Sequence, residues 1–209
     1  MIDKLLQWIA PVSCQVCGVS GALCCPDHFL GLEPTPVAIG EIQGVFAREL
    51  DDPLHRVLSS FKDRSVTALA KDLALMAIPL TKSSVWQEAD VVIHPPSTRR
   101  AYRKRGFVPT RLVLQRLEQP LLISTLQLTR QPLDQRGLDA QQREKNLAGA
   151  YQAPPLAGSS VVLFDDVMTT SATIQEMARA VRVAGGRVTG FCVLARKLLD
   201  SQAQASNQA

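Results

Sequence analysis

Residues 161–173 read VVLFDDVMTTSAT, and the fold can be argued outward from this stretch. Its four leading apolar residues have the length and composition of a buried strand. Two adjacent carboxylates, Asp165 and Asp166, come next, followed by a cluster of small hydroxyl side chains. From Ile174 onward the apolar positions repeat with the helical period up to the glycine pair at 185–186. The stretch therefore predicts a strand, a tight turn and a helix.

Short apolar strands alternate with helices along most of the chain. IQGVFAREL at 42–50, ADVVIH at 89–94 and RVTGFCVLA at 187–195 read as strands. Residues 66–77, in contrast, carry their apolar side chains at the helical period. This alternation predicts the α/β fold class, with a mainly parallel sheet flanked by helices.

The chain of 209 residues suits one ordinary domain with a small N-terminal appendage. Residues 1–10 resemble a short helix ended by proline, and a Cys/His knuckle follows. A proline-bearing connector then places a domain boundary near residue 40. We therefore expect an N-terminal part at 1–40, a main domain at 41–200 and a disordered tail at 201–209.

Composition limits the environment in which the chain works. With 46% apolar and 20% charged residues, it has the make-up of a soluble globular protein. No apolar run approaches the roughly 18 residues that a membrane span needs, so no membrane insertion is expected. The N-terminus lacks the small-residue cleavage site of a signal peptide, which favours a cytoplasmic location.

The turn after the acids has the make-up of a phosphate site. The first amides of a helix have no partners within it, and the helix dipole adds partial positive charge at the same point. Carboxylates at a strand end can accept hydrogen bonds from the vicinal hydroxyls of a ribose. The stretch therefore indicates a phosphorylated ribose site, with Asp165 and Asp166 on the diol. The phosphate would be held by Thr169, Thr170, Ser171, Ala172 and Thr173.

Four of the five cysteines lie within the first 25 residues. Cys14 and Cys17 form one closely spaced pair, and Cys25 and His28 form another, which is the spacing of a tetrahedral zinc knuckle. Four protein ligands leave no open position, so this Zn²⁺ would stabilise the fold rather than catalyse. Cys24 could replace Cys25 as the third ligand if the local turn differs.

A cationic run lies at 98–106, where TRRAYRKRG holds five cations. Such a run predicts a strongly positive surface. Tyr102 lies within the run and Phe107 follows it, a pattern that also suits single-stranded nucleic acid, because cations track phosphates while rings stack on bases.

The acidic turn resembles the PRPP (phosphoribosyl pyrophosphate) loop of type I phosphoribosyltransferases, with Ser171 where that loop usually has glycine. QRGLDAQQREKNLAGAY at 135–151, FK at 61–62, RKRGF at 103–107 and LAR at 194–196 narrow the resemblance to the ComF family, which is related to GntX. Members are phosphoribosyltransferase-like proteins with an N-terminal zinc ribbon, associated with competence and DNA uptake.

The resemblance implies further roles around the site. The loop at 95–99 corresponds to the one that holds pyrophosphate, which assigns Ser97 and Arg99 to PRPP binding, and Mg²⁺ would accompany the diphosphate. The stretch 135–146 corresponds to a hood that closes over PRPP, with Arg143 as its phosphate contact. Gln135 and Asn146 in that stretch suit either ligand contacts or structural capping.

The resemblance leaves two functions open. The chain either transfers a phosphoribosyl group to an unidentified acceptor, as an enzyme of the glycosyltransferase class, or acts without catalysis in DNA uptake through single-stranded DNA or competence-protein partners. Purine-salvage members carry an aspartate where this chain has Thr169, which cannot act as a base at neutral pH. Purine salvage is therefore not expected. Ser171, and Val108 in place of the family's asparagine, favour ligand binding over turnover.

Overall fold

The computed structural model describes residues 13–28, 33–132 and 140–197. The helix expected at 1–10 and the tail expected at 201–209 lie outside the described residues, as does Gln135. Among the described residues, no helix combines the length and apolarity that crossing a membrane requires.

The described elements alternate between strands and helices. The strands are β1 Thr35–Ile39, β2 Ile42–Glu49, β3 Val91–His94, β4 Leu122–Thr125, β5 Gln127–Leu128, β6 Tyr151–Gln152, β7 Ser160–Met168 and β8 Arg187–Arg196. The α-helices are α1 Asp52–Asp63, α2 Ala70–Ala77, α3 Ser84–Gln87, α4 Arg99–Arg105, α5 Pro109–Arg116, α6 Ala140–Leu147 and α7 Ala172–Val183. Three short 3-10 helices lie at Pro26–His28, Thr67–Leu69 and Ile78–Lys82.

Six strands form the main sheet in the order β1-β2-β8-β7-β3-β4. All neighbours from β2 to β4 are parallel, and β1 alone among these six runs antiparallel to its neighbour β2. This architecture confirms the predicted α/β fold class with a mainly parallel sheet. β5 and β6 form a separate antiparallel pair.

Helices cover both faces of the sheet, which is why its central strands are apolar on both sides. On β7, Val162 and Phe164 pack into the core formed with α1, α2, α3 and α5. Val161 and Leu163 pack into the other core, formed with α6 and α7. The helical period predicted from Ile174 onward is confirmed, since Ile174, Met177, Ala178 and Val181 of α7 are all buried.

Strand β1 was not predicted from the sequence. Residues 31–40 were expected to be a connector, but Thr35–Ile39 pairs with β2 through a tight turn at Gly40, whose φ is 57°. The strand lies at the sheet edge, and Pro36 is tolerated there because an edge strand can leave one row of amides unpaired.

The strand order places a topological switch point between β3 and β7. The chain leaving β3 passes through α4 and α5 to β4, whereas the chain leaving β7 passes through α7 to β8 on the opposite side. The two connections therefore diverge at the carboxyl ends of neighbouring parallel strands. Open α/β sheets bind ligands in the crevice that this divergence creates.

Candidate functional site

Asp165 and Asp166 lie near the carboxyl end of β7, which continues two residues beyond them. Each is only 8% exposed. The amide of Asp166 donates a hydrogen bond of 2.8 Å to Oδ1 of Asp165. Two neighbouring carboxyl groups are thus held at the switch point, close to each other and largely removed from bulk water.

Burial and charge together set the pKa of Asp165. Burial, and then the neighbouring carboxylate of Asp166, raise the pKa of Asp165 to about 8. Asp166 is ion-paired with Lys62, whose Nζ lies 2.7 Å from its Oδ1. The ammonium group of Lys62 therefore offsets part of the repulsion between the two acids.

The hydroxyl-rich turn connects β7 to α7 as predicted. Thr169, Thr170, Ser171 and Thr173 are half-buried, and Ala172 is buried at the first position of the helix. Ser171 has φ −72° and makes no side-chain capping hydrogen bond. Because this φ is ordinary for any residue, serine replaces the loop's usual glycine without backbone strain.

The loop expected to hold pyrophosphate follows β3 and lies beside this turn. Ile93 of β3 pairs with Leu163 of β7, so the residues after His94 lie level with the acid pair. Ser97 is half-buried, and Arg99 is exposed at the start of α4. The structure thus brings this loop and the acidic turn to the same edge of the sheet.

His94 fixes the end of β3 immediately before that loop. It is fully buried, with Nε2 2.8 Å from the Thr125 hydroxyl and Nδ1 3.0 Å from the Pro95 carbonyl oxygen. Thr110 Oγ1 lies 3.3 Å from the same Nδ1. A neutral imidazole that donates from Nδ1 and accepts at Nε2 satisfies these contacts. Sequence analysis gave His94 no role, because its partners lie on β4 and α5.

We expect His94 to make the chain less stable as the pH falls. Burial lowers its pKa to about 4, whereas an unfolded histidine titrates near 6.5. Between these values the unfolded state binds the extra proton, so the free energy of unfolding should drop by about 1.4 kcal/mol per pH unit. Urea denaturation at pH values from 7 to 4 should show this decrease in the free energy of unfolding for the native chain. The decrease should be absent in His94→Asn. The exposed His55→Asn should keep it, and equal slopes in all three would contradict the assignment.

The predicted hood is described only in part. Its described part forms α6, which lies in the chain between β5 and β6, and these two strands pair with each other. Arg130 donates to the carbonyl oxygens of Asn146 and Ala148 at the end of α6, and Thr129 donates to that of Gly149. The side chain of Arg143 lies outside the described part of the chain, so its phosphate contact stays a prediction.

The Cys/His knuckle has the geometry of a metal centre. The ligand atoms of Cys14, Cys17, Cys25 and His28 all lie within 4.8 Å of one another. Sγ of Cys17 is 3.7 Å from Sγ of Cys25, and tetrahedral zinc with bonds of about 2.3 Å would separate two sulfurs by about 3.8 Å. Gly18 turns the chain with φ 75°. The donor set and its spacing therefore fit a metal ion such as zinc.

Cys24 is not a member of this cluster. It is buried in the core formed with α1 and α2, and burial raises the pKa of its thiol to about 12. Among the described residues, the four ligand atoms that lie within 4.8 Å of one another include the thiol of Cys25 and not that of Cys24. The arrangement therefore favours Cys25 over Cys24 as the third ligand.

The knuckle is docked on the main domain at both ends of α1. Arg48 donates to the carbonyl oxygen of His28 and is also ion-paired with Asp51, the residue that caps the start of α1. Near the other end, Ser60 donates a hydrogen bond of 3.1 Å to the side chain of Gln15. Loss of order in the knuckle would therefore reach α1.

The curated proteins that are similar in sequence to this chain share one name. No protein-family model matches the chain. The DNA utilization protein YhgH of Escherichia coli is 27% identical over 158 residues, which cover 73% of this chain and 70% of that protein. The protein of the same name from Shigella flexneri is 28% identical over 158 residues, with the same coverage of both chains.

Two solved structures illustrate the structural likeness. Adenine phosphoribosyltransferase from Saccharomyces cerevisiae is 14% identical, with a TM-score of 0.40, over 87% of this chain and 92% of that one. Adenine phosphoribosyltransferase from Rhodothermus marinus is 19% identical, with a TM-score of 0.37, over 88% of this chain and 90% of that one.

Proposed function

Taking the chain as a ComF-type protein, as its motifs and its relatives indicate, we propose that the crevice between β3 and β7 binds a phosphorylated ribose, with PRPP as its ligand. The observation that carries the proposal is the position of the buried acid pair. It lies at a topological switch point and leads directly into a hydroxyl-rich helix start. Ligands of open α/β sheets bind at this position.

Each part of the crevice suits one part of such a ligand. The carboxyl groups of Asp165 and Asp166 accept hydrogen bonds from the ribose diol. The amides and hydroxyls of residues 169–173 hold the 5′-phosphate at the start of α7. Ser97 and Arg99, in the loop after β3, contact the diphosphate, for which Mg²⁺ supplies charge neutralisation when bound.

The proposal concerns binding, and transfer is not part of it. Thr169 occupies the position at which purine-salvage members carry an aspartate base, and a threonine hydroxyl cannot take a proton at neutral pH. The buried His94 is fully engaged in hydrogen bonds at the end of β3. No acceptor is therefore assigned to the crevice.

Calorimetric titration of the purified chain with PRPP in the presence of Mg²⁺ tests this function. Ribose 5-phosphate and unphosphorylated ribose are the comparison ligands. PRPP should bind most tightly, because it uses both phosphate sites, and ribose most weakly. A chain that binds none of the three would contradict the proposal.

A second candidate function is single-stranded DNA binding on α4. Two observations favour it: the relatives are named DNA utilization proteins, and α4 carries five cations around an exposed tyrosine. Tyr102 is 51% exposed and lies among Arg99, Arg100 and Arg103, which are all exposed. Cations that follow the phosphates, with a ring available for stacking, are the elements of a general strand-binding surface.

Arg100→Ala with Arg103→Ala should weaken binding of a fluorescent single-stranded oligonucleotide by at least about tenfold at low salt. The slope of log affinity against log salt concentration should also become shallower, by the amount that corresponds to about two lost phosphate contacts. A matched control removes two exposed arginines outside α4, Arg116 and Arg182. Equal losses in both double variants would point to net charge alone and reject α4 as the surface.

A further inference from the structure

The contact between Lys62 and Asp166 has a further consequence for the ligand of the crevice. Lys62 is the penultimate residue of α1, and its Nζ lies 2.7 Å from Oδ1 of Asp166. Its side chain is 22% exposed and that of Asp166 is 11% exposed. Among the described residues, Lys62 is the cation that ion-pairs with the acid pair.

The backbone beneath Lys62 is anchored while its side chain is long and flexible. Phe61 is fully buried, and its ring centroid lies 5.3 Å from that of Phe107, which follows α4. Asp63 faces Lys104 of α4 at 3.9 Å. The end of α1 is therefore held against the segment after β3, at the same edge of the sheet as the acids. A lysine has four methylene groups with which to move its charge from such an anchor.

We propose that Lys62 selects phosphorylated sugars: it neutralises Asp166 in the empty site and transfers to an anionic oxygen of the ligand when the sugar diol takes its place. This inference rests on the proposed function. A diol that binds Asp166 has to displace the ammonium group. The displaced ammonium then requires a new anionic partner, which a phosphorylated ligand supplies and a neutral sugar does not.

The proposal predicts opposite effects on charged and neutral ligands. Lys62→Met removes the ammonium but keeps a chain of similar length. It should weaken the binding of ribose 5-phosphate by about 10-fold to 100-fold, which is the effect of losing one charge-assisted hydrogen bond. Ribose should bind the variant at least as well as the native chain, because nothing has to leave Asp166. If the role of Lys62 were purely structural, its replacement would weaken the binding of both sugars by the same factor.

The experiment measures the ratio of the dissociation constants of ribose and ribose 5-phosphate by ligand-observed NMR titration. Lys62→Arg should keep most of the ratio, because arginine also pairs with phosphate. Lys104→Met, which removes an exposed lysine from the neighbouring ion pair, should leave the ratio unchanged. Urea denaturation of each variant reports separately on folding.

The possible results separate the inference from the function on which it rests. A ratio that falls in Lys62→Met and survives in the other two variants supports the transfer of Lys62. If Lys62→Met binds both sugars with the native ratio, Lys62 selects nothing, and the crevice remains a ribose phosphate site. If the native chain binds neither sugar, the proposed function itself is wrong, and the selection by Lys62 falls with it.

Discussion

Replacing Asp165 and Asp166 together by asparagine is expected to abolish the rise in melting temperature that PRPP and Mg²⁺ give the native chain. At about one hundred times the dissociation constant, a ligand stabilises a protein by about 2.7 kcal/mol. For a chain of this size that corresponds to a rise of roughly 5 to 10 °C. The variant should show no rise, because amide groups, which also carry N–H donors, replace the carboxyl groups that accept hydrogen bonds from the ribose diol.

Thermal unfolding with and without PRPP measures this effect, and Asp63→Asn is the matched control. Asp63 lies next to Lys62 at the end of α1, but its side chain is 46% exposed and faces Lys104. It should therefore keep the full rise. A double variant of the acids that responds to PRPP like the native chain would remove the crevice from consideration.

Asp165→Asn alone should have the opposite effect on stability without ligand. Burial first, and Asp166 second, raise the pKa of Asp165 to about 8, whereas an unfolded aspartate titrates near 3.9. Between these values the folded state holds a proton that the unfolded state has lost, so stability declines as the pH rises towards 8. Asp165→Asn should remove this decline, and its advantage over the native chain should therefore grow from pH 5 to pH 8.

A site that costs stability when empty is expected at a position built for a ligand. Burying two carboxyl groups side by side disfavours the folded state, because desolvation penalises both charges. The raised pKa of Asp165 and the position of the acid pair at the switch point are both in keeping with the proposed ligand site.

The central part of the fold could be predicted because its signals are local. The apolar run of β7, the acids and the helical period of α7 follow one another within 161–183, so strand, turn and helix could be read in order. The edge strand β1 could not, because its proline and its exposed positions match those of a connector. The helix α4 could not be predicted either, because its five cations leave no apolar period to recognise, although Thr98 caps its start.

The site could be predicted only as far as its residues are close in sequence. The packing of α1 against the sheet brings Asp166 and Lys62 together. About one hundred residues separate them in sequence, so no local sequence pattern can indicate this contact. Phe61 and Phe107 explain this contact afterwards, since their packing ties α1 to the segment after α4. The motifs FK and RKRGF thus mark one tertiary contact, which a single sequence cannot show.

Removing one ligand of the knuckle should have the largest effect on stability. Cys17 is exposed, so Cys17→Ser deletes a metal ligand with little loss of packing. We expect elemental analysis to fall from one zinc per chain to a small fraction of that value. Because a structural metal contributes its binding free energy to folding, the free energy of unfolding should fall by several kcal/mol, on the order of half of a typical total.

Cys24→Ala separates the metal from the packing beneath it. Cys24 lies in the core and not in the Cys/His cluster, so this variant should keep one zinc per chain and lose only about 1 kcal/mol through the small cavity. A chelator should destabilise the native chain and Cys24→Ala, but not Cys17→Ser. Carefully purified native chain that contains no zinc, or Cys24→Ala that loses it, would show that the ligands have been assigned wrongly. The loss should also extend beyond the knuckle, because Gln15 and His28 hold both ends of α1.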